Sequence, residues 1–528
     1  MDSLLEETRT SFRTSFLDGL ADGRAKPFVI PFSALGSFIV PVVWLAIPHA
    51  HRPWLYRTRW IVAAFVVAFN LNVLRWSSSA NPGIAYVFGM ATAWAAVMNL
   101  NHLLWTRPQL EAARALRKGP ETVRRREAGD SAVSTGCAPW PPGASSERRI
   151  EGKPCARSVE ETGSADEAWV WQTFPADAGF LTRLGWAFDL ATSIRGGGWN
   201  WAISSIPRPR IPARIGPGDA VDLTCMPRRT PSGYEYCLTE GEFLRRRFIK
   251  ILITYLAVDA VSVCVFRDPY FVVGPDRPYE LPPHLRNMPP WLLLAYREML
   301  ALVGMISSIT LEYNMRDLNS YLVLKLFHPA RFALWQYPSA FGSFSHVLDR
   351  GLSGWWGAWW HQSFRLSLLA PAKYFSQYLP VERRSRVIDL FTLFASFAMS
   401  GSLHAVGSIS TMAASKPWKT LLFFLIQAVG IVVQDALAMT IRAVVPKPPR
   451  ALARATNFLF TLVFMYATAH LFLDDLASAG LCALDKIPVS PLKWLGLGTG
   501  KGHWWRWDYL GTPAWYSGKH WWESGIFI

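Results

Sequence analysis

"RVIDLFTLFASFAMSGSLHAVGSI" occupies residues 386–409. Past Arg386 and Asp389 it stays apolar for about 20 residues, the length that crosses a bilayer as a helix. On that helix Thr392, Ser396, Ser400, His404 and Ser408 recur every four positions and draw one slowly drifting polar face. Gly401 and Gly407 are the small residues that let neighbouring helix backbones approach. An ionisable side chain deep in a membrane helix is costly and normally faces a cavity or the bundle interior. His404 therefore reads as a packing histidine bonded to another helix, or as the polar group of a buried chamber. The serine face and the two glycines favour the chamber. A neutral imidazole placed there can take a proton from a hydroxyl, as a general base.

The rest of the chain fits a membrane body. Of 528 residues, 51% are hydrophobic and 17% charged, well under the roughly 25% charged residues of soluble domains. The expected fold is an all-α, polytopic integral membrane helical bundle. Spans are expected near 27–47, 59–79, 83–105, 246–266, 290–312, 386–409, 417–441 and 452–473, with a short or re-entrant helix over 318–335. That makes eight or nine. The net charge is +16. Its lysines and arginines sit beside the spans, as in "RRRFIK" (245–250) and "ERRSR" (382–386). This is the pattern of cytosolic flanks rather than of a nucleic-acid surface. The expected partner is the lipid bilayer, not nucleic acid. Arg52, Arg57 and Arg59 put the first loop on the cytosolic side and the N-terminus in the lumen. Lys416 and Lys419 then fall on the wrong side.

Three regions follow. Residues 1–106 carry N-terminal transmembrane helices. Residues 107–166, rich in Pro, Gly, Ser, Arg and Glu and lacking apolar periodicity, read as a disordered basic cytosolic insert. Residues 167–528 form the main membrane core, ending in an aromatic tail suited to an interface. The six cysteines have neither CxxC pairing nor zinc spacing, so no metal is expected.

A second stretch carries possible chemistry. "GWWGAWWHQSFR" (354–365) packs four tryptophans, a histidine and an arginine into twelve positions. As a helix it pairs Trp355 with Trp359 and Trp356 with Trp360, and puts Gly357, His361 and Arg365 on another face. Spacing alone allows an interfacial aromatic belt or the wall of a site. Its place some forty residues before His404 favours the wall, with Trp360 beside the chamber and His361 held toward it. "RGGGWNW" (195–201) and "RDPYF" (267–271) read as turns at the membrane surface; a phosphate contact by Arg195 has no further support. His328 and His346 read as loop or capping histidines. "GLGTGKG" (496–502) lacks the phosphate-loop register. "HLFLD" (470–474) matches HxxxD only as the close of an apolar helix.

"RGGGWNW", "RDPYF", "WQYPSAFGSF", "WWGAWWHQSFR", "SGSLHAVG" and "WYSGKHWWESG", in that order, resemble the wax synthase-like branch of the membrane-bound O-acyltransferase superfamily. They look most like its fungal members that acetylate terpenoid and meroterpenoid alcohols in secondary metabolism. The resemblance implies a helical bundle enclosing a membrane-buried reaction chamber, and an acyl-CoA-dependent O-acyltransferase of the endoplasmic reticulum, with acetyl-CoA or another acyl-CoA as co-substrate and a hydrophobic alcohol as acceptor. The family's essential histidine falls on His404, and its second polar position on His361. Many members carry Asn at that second position; the "WHQ" form agrees with the fungal branch. His404 and His361 become the catalytic candidates: His404 as the general base, and His361, together with Gln362, orienting the thioester carbonyl or stabilising its developing negative charge. The two basic residues the family usually has before the Trp are Ala358 and Trp359 here, which leaves Arg365 as the nearest cation for CoA phosphates. Ser396, Ser400 and Trp360 are the expected chamber wall. Long-chain transfer to a fatty alcohol, giving a wax ester, is the alternative within the class. Outside it stands a membrane transporter or binder of an amphipathic ligand.

Overall fold

Apolar length and clean helix starts build the body. The computed structural model describes residues 1–118, 168–376, 378, 386–444, 448–497, 505 and 514–527. In chain order the principal helices are α1 (Asp2–Ala21), α2 (Val40–Ala46), α3 (Arg59–Trp76), α4 (Pro82–Leu100), α5 (Phe180–Thr192) and α6 (Glu240–Val265). After them come α7 (Pro290–Phe327), α8 (Ser345–Gly354), α9 (Arg365–Ser376), α10 (Arg386–Ser410), α11 (Pro417–Val444) and α12 (Arg450–Ser478). Two starts show how the sequence sets them. Asn81 Oδ1 accepts from the N–H groups of Gly83 (2.9 Å) and Ile84 (3.2 Å), and Pro82 fills the first helical position of α4. Thr239 Oγ1 accepts from Glu242 N–H (3.2 Å), and Glu240 and Glu242 place negative charge in the first turn of α6.

The span count needs correction. Among the described residues seven helices are long and apolar enough to cross a membrane, not eight or nine. The segment expected over 27–47 holds only a shorter apolar helix, Leu35–Ala46, whose first turn is a π-turn. It still runs from one end of the bundle to the other. At one end β1 (Lys26–Pro27) pairs with β3 (Ser77–Ser78), beside the C-terminus of α3. At the other, the His49 N–H donates to Gln109 Oε1 (2.9 Å), and Gln109 Nε2 donates to the carbonyls of Leu45 and Ile47 (2.8 Å each). The helix expected over 318–335 is the last part of α7, followed by single 3-10 turns at Pro329–Arg331 and Leu334–Gln336. With 38 residues, α7 is about 57 Å long at about 1.5 Å per residue, well beyond a hydrocarbon core of about 30 Å.

Arg52, Arg57, Arg59, Arg107, Arg245, Arg246, Arg247, Arg442, Arg450 and Arg454 flank the helices at one end of the bundle. At the other end Ser78 Oγ donates to Ser410 O (2.7 Å), and β2 (Val29–Ile30) forms a small antiparallel sheet with the C-terminal strands β6 (Ala514–Tyr516) and β7 (Gly525–Phe527). Lys416 and Lys419, the basic residues out of pattern, lie at this second end. Each has its own carboxylate, Asp276 at 2.6 Å and Asp474 at 2.7 Å.

The first residues of the insert expected over 107–166 have regular structure. Residues 107–118 form a short helical turn, Pro108–Glu111, and the strand β4 (Arg114–Arg117), paired antiparallel with β5 (Trp169–Gln172). Residues 119–166, including Cys137 and Cys155, lie outside the described residues, as do most of "ERRSR" and "GLGTGKG". Beside β4, Asp189 of α5 bridges Arg114 (2.8 Å) and Arg331 (2.6 Å). Burial alone would raise the Asp189 carboxyl, but Arg331 and Arg114 outweigh it and hold its pKa below the usual carboxylate range. The glycine run makes room for this cluster: Gly198 has φ +78, and a Cβ there would collide with the Arg331 guanidinium.

Candidate active site

A cavity of about 880 Å³ lies between α7, the 353–369 region, α10, α11 and α12. Its wall is largely aliphatic and aromatic: Leu302, Ile306, Phe397, Phe424, Leu462 and Phe472 are typical. His361 and His404 both line it, as do Trp360, Gln362, Arg365, Thr392, Ser396 and Ser400. The polar face read on 386–409 therefore opens onto the cavity for four of its five members. Ser408 leaves it: fully buried, it donates to Asp475 Oδ1 (2.9 Å) and ties α10 to α12. Gly401 serves helix packing, since a Cβ there would lie 3.1 Å from Leu421 Cα and Phe424 Cβ on α11.

His404 is fixed on three sides. Its ring stacks on Phe424, with centroids 5.1 Å apart at 7°, and meets Phe472 edge-on at 5.4 Å. Its Nδ1 lies 3.0 Å from the hydroxyl of Tyr86 on α4. Nε2 is the nitrogen left for the cavity. Sequence reasoning missed Tyr86, which is 318 residues away along the chain. The one legible hint was Gly407: a Cβ there would meet Tyr86 O at 3.0 Å and Tyr86 Cε1 and Cζ at 3.1 Å, so the glycine makes the bed for that ring.

The twelve-residue aromatic stretch is not one α-helix. Residues Trp355–Trp359 form a π-turn closed by Trp360 N–H donating to Trp355 O (2.8 Å), and Trp360 itself is extended. The helical chain resumes at Arg365. The tryptophans still touch in the expected pairs, edge-on, at 4.5 Å for Trp355–Trp359 and 5.9 Å for Trp356–Trp360. The break places His361 just after the turn. Its Nδ1 is 3.1 Å from Ser363 Oγ, which is in turn hydrogen-bonded to the hydroxyl of Tyr313 on α7. Phe341 and Phe364 pack edge-on to its ring. Burial pushes the His361 imidazole down to about 3, with His404 and Arg195 adding to the effect, so it is neutral near pH 7.

Gln362 and Arg365 are at the cavity but hold the turn together. Gln362 Nε2 donates to Trp360 O (2.7 Å) and Trp356 O (3.0 Å), and Arg365 Nη1 donates to Gln362 Oε1 and Gly357 O (2.9 Å each). A π-turn leaves carbonyls without helical partners, and these two side chains satisfy them. Gln362 and Arg365, expected at the thioester and at the CoA phosphates, thus line the cavity while tied into the turn beside it. Arg195 is likewise engaged, donating to the carbonyls of Ser339 (2.8 Å) and Pro338 (3.0 Å) beneath Tyr313. His346 bonds Pro231 O (2.7 Å) and Arg350, and His328 is exposed. Asp268 of "RDPYF" pairs with Arg297. Asp474 of "HLFLD" takes Lys419 and the hydroxyl of Tyr270. Among the described residues no three His, Cys, Asp or Glu side chains group as a metal site.

Residues 337–426, which hold both histidines and the aromatic turn, match the family model described as "Membrane bound O-acyl transferase family". The chain is 24% identical over 337 residues to the acetyltransferase aurG of Calcarisporium arbuscula, a match covering 61% of this chain and 72% of that one. It is 27% identical over 261 residues to the acetyltransferase ple2 of Rhodocybe pseudopiperita, covering 49% of this chain and 58% of the relative. A third relative, the O-mevalon transferase macI of Penicillium terrestre, is 22% identical over 265 residues, 48% of this chain and 53% of its own. No solved structure matches the chain.

Proposed function

We propose that this membrane-bound O-acyltransferase, working on acyl-CoA and a hydrophobic acceptor, carries an acetyl group from acetyl-CoA to a hydroxyl of a fused-ring terpenoid or meroterpenoid. The observation that carries the reading is the meeting of His361 and His404 on one apolar cavity. Its volume, about 880 Å³, falls within the roughly 300–1,000 Å³ of small-molecule sites. The relatives named as acetyltransferases support the acetyl donor.

His404 Nε2 takes the proton from the acceptor hydroxyl as its oxygen attacks the thioester carbonyl. This requires the Nδ1–H tautomer, with Nδ1 donating to the Tyr86 hydroxyl oxygen, so Tyr86 positions the base. His361 has the opposite need. Tyr313 O–H donates to Ser363, Ser363 O–H donates to His361 Nδ1, and the Nε2–H is left to stabilise the oxyanion that forms on the carbonyl. One such donor is worth roughly 3–4 kcal/mol. The tetrahedral intermediate collapses with loss of the CoA thiolate, and the proton held on His404 passes to that sulfur. The ester and free CoA leave. The endoplasmic reticulum is the proposed location, and the basic end of the bundle the cytosolic face from which acyl-CoA enters.

The test is to feed microsomes containing the protein with labelled acetyl-CoA or labelled long-chain acyl-CoA, each with a polycyclic terpenoid alcohol or a fatty alcohol. Label in the terpenoid acetate supports the reading. Label only in a long-chain ester of the fatty alcohol replaces it with wax synthesis. No ester with any pair removes it.

A further inference from the structure

Helix α7 brings a carboxyl group to the same cavity. Glu298 sits in "LLLAYREMLALVG" (292–304), in which the only other ionisable groups are Tyr296 and Arg297. It lines the cavity with Ala295, Met299, Leu302 and Ile306 of its own helix. The carboxyl has a backbone interaction with His470 on α12, but its Oε1 is buried and finds no hydrogen-bond partner among the described residues. The adjacent cation does not serve it: Arg297 Nε and Nη2 are held on the Asp268 carboxylate at 2.6 and 2.8 Å. A buried polar atom left unpaired costs about 1–3 kcal/mol, and an acid in a membrane helix is expensive to keep without a use. None of the acyl-transfer steps derived above employs it.

We propose that Glu298 is an acceptor subsite that binds a second hydroxyl on the hydrophobic alcohol, away from the hydroxyl that meets His404. This rests on reading the cavity as the acyl-transfer chamber. A hydroxyl fits because it both gives and accepts: it satisfies a carboxylate by donating and a carboxylic acid by accepting. The rest of the α7 wall is aliphatic, so Glu298 supplies that wall's polar contact. His404 stands on α10 and Glu298 on α7, two walls of one cavity. A rigid skeleton held at both is fixed in direction, which decides which of its hydroxyls reaches the base. The chamber then selects diols, or higher polyols, over mono-ols of the same skeleton.

The test uses the full-length protein in microsomes with labelled acetyl-CoA and a matched pair of fused-ring terpenoids, a diol and the mono-ol lacking the distal hydroxyl. The wild type should favour the diol in kcat/KM by at least about tenfold, as sites built to hydrogen-bond a hydroxyl do. Glu298→Leu should bring the diol to mono-ol ratio toward one, and Glu298→Gln, which keeps an acceptor and a donor, should restore part of it. A ratio unchanged in Glu298→Leu, or a wild type without preference for the diol, overturns the subsite. If the wild type acetylates neither compound nor any other alcohol, the acyl-transfer reading itself fails and takes the subsite with it.

Discussion

Tyr86→Phe removes one oxygen and leaves a ring whose place is already made. The ring lies against Gly407, where even a Cβ would come within 3.1 Å of Cε1 and Cζ, and it is buried. What disappears is the hydroxyl 3.0 Å from His404 Nδ1. The flanking rings remain, Phe424 stacked at 5.1 Å and Phe472 edge-on at 5.4 Å. They hold the imidazole plane but do not choose which nitrogen carries the proton. Losing a buried hydrogen bond costs about 0.5–1.5 kcal/mol, and stranding its buried partner about 1–3 kcal/mol. Expressed in the transition state, that is about a 10- to 100-fold fall in kcat. Tyr86 stands behind His404 and is not among the residues that line the cavity, so KM for the acyl-CoA and for the alcohol should stay within about threefold. Initial rates over a grid of both substrates, on membranes normalised for protein level, separate the two parameters. Unchanged kcat refutes the positioning role. So does a loss confined to the alcohol's KM, which would make the Tyr86 hydroxyl a substrate contact instead.

Two further outcomes follow from the second histidine. His361→Asn keeps an N–H donor at the cavity and should retain activity within about tenfold, whereas His361→Ala should lose about 10²- to 10³-fold in kcat; equal activities of the two variants contradict the oxyanion role. The folded His361 titrates at about 3 against about 6.5 when unfolded, so between those values the unfolded chain binds the extra proton. Stability from this group is fully present above about pH 6.5 and declines as pH falls toward 3, by on the order of 2 kcal/mol at pH 5. Unfolding temperatures in detergent at pH 7.5 and pH 5 should therefore fall further for the wild type than for His361→Asn, and an equal fall in both contradicts the buried, neutral imidazole.

Hydropathy read most of the fold because a bilayer asks each crossing for the same thing, a long apolar run. It misjudged 27–47, where the helix is only Leu35–Ala46 and flanking non-helical chain completes the passage. It also misjudged 107–118, where the strand Arg114–Arg117 is ordered by pairing with Trp169–Gln172. The four-residue rhythm of Thr392, Ser396, Ser400 and His404 was a true cavity face because α10 is a regular helix there. The same rule failed across 354–365, where a π-turn intervenes. That turn rests on Gln362, Arg365 and the close seat of Gly354 against the His346 backbone, none of which has a periodic signature. Tyr86 and Glu298 were invisible for a different reason. Neither has a polar companion three or four positions away on its helix, and only the packing of α4 and α7 against the chamber gives it meaning.

In the proposed mechanism His404 is the base. The most direct measurement is acetyl transfer by His404→Ala in microsomes, at a protein level matched to the wild type. The expected result is a fall of about 10²- to 10⁴-fold, the usual worth of a general base. Turnover near the wild-type rate would contradict it.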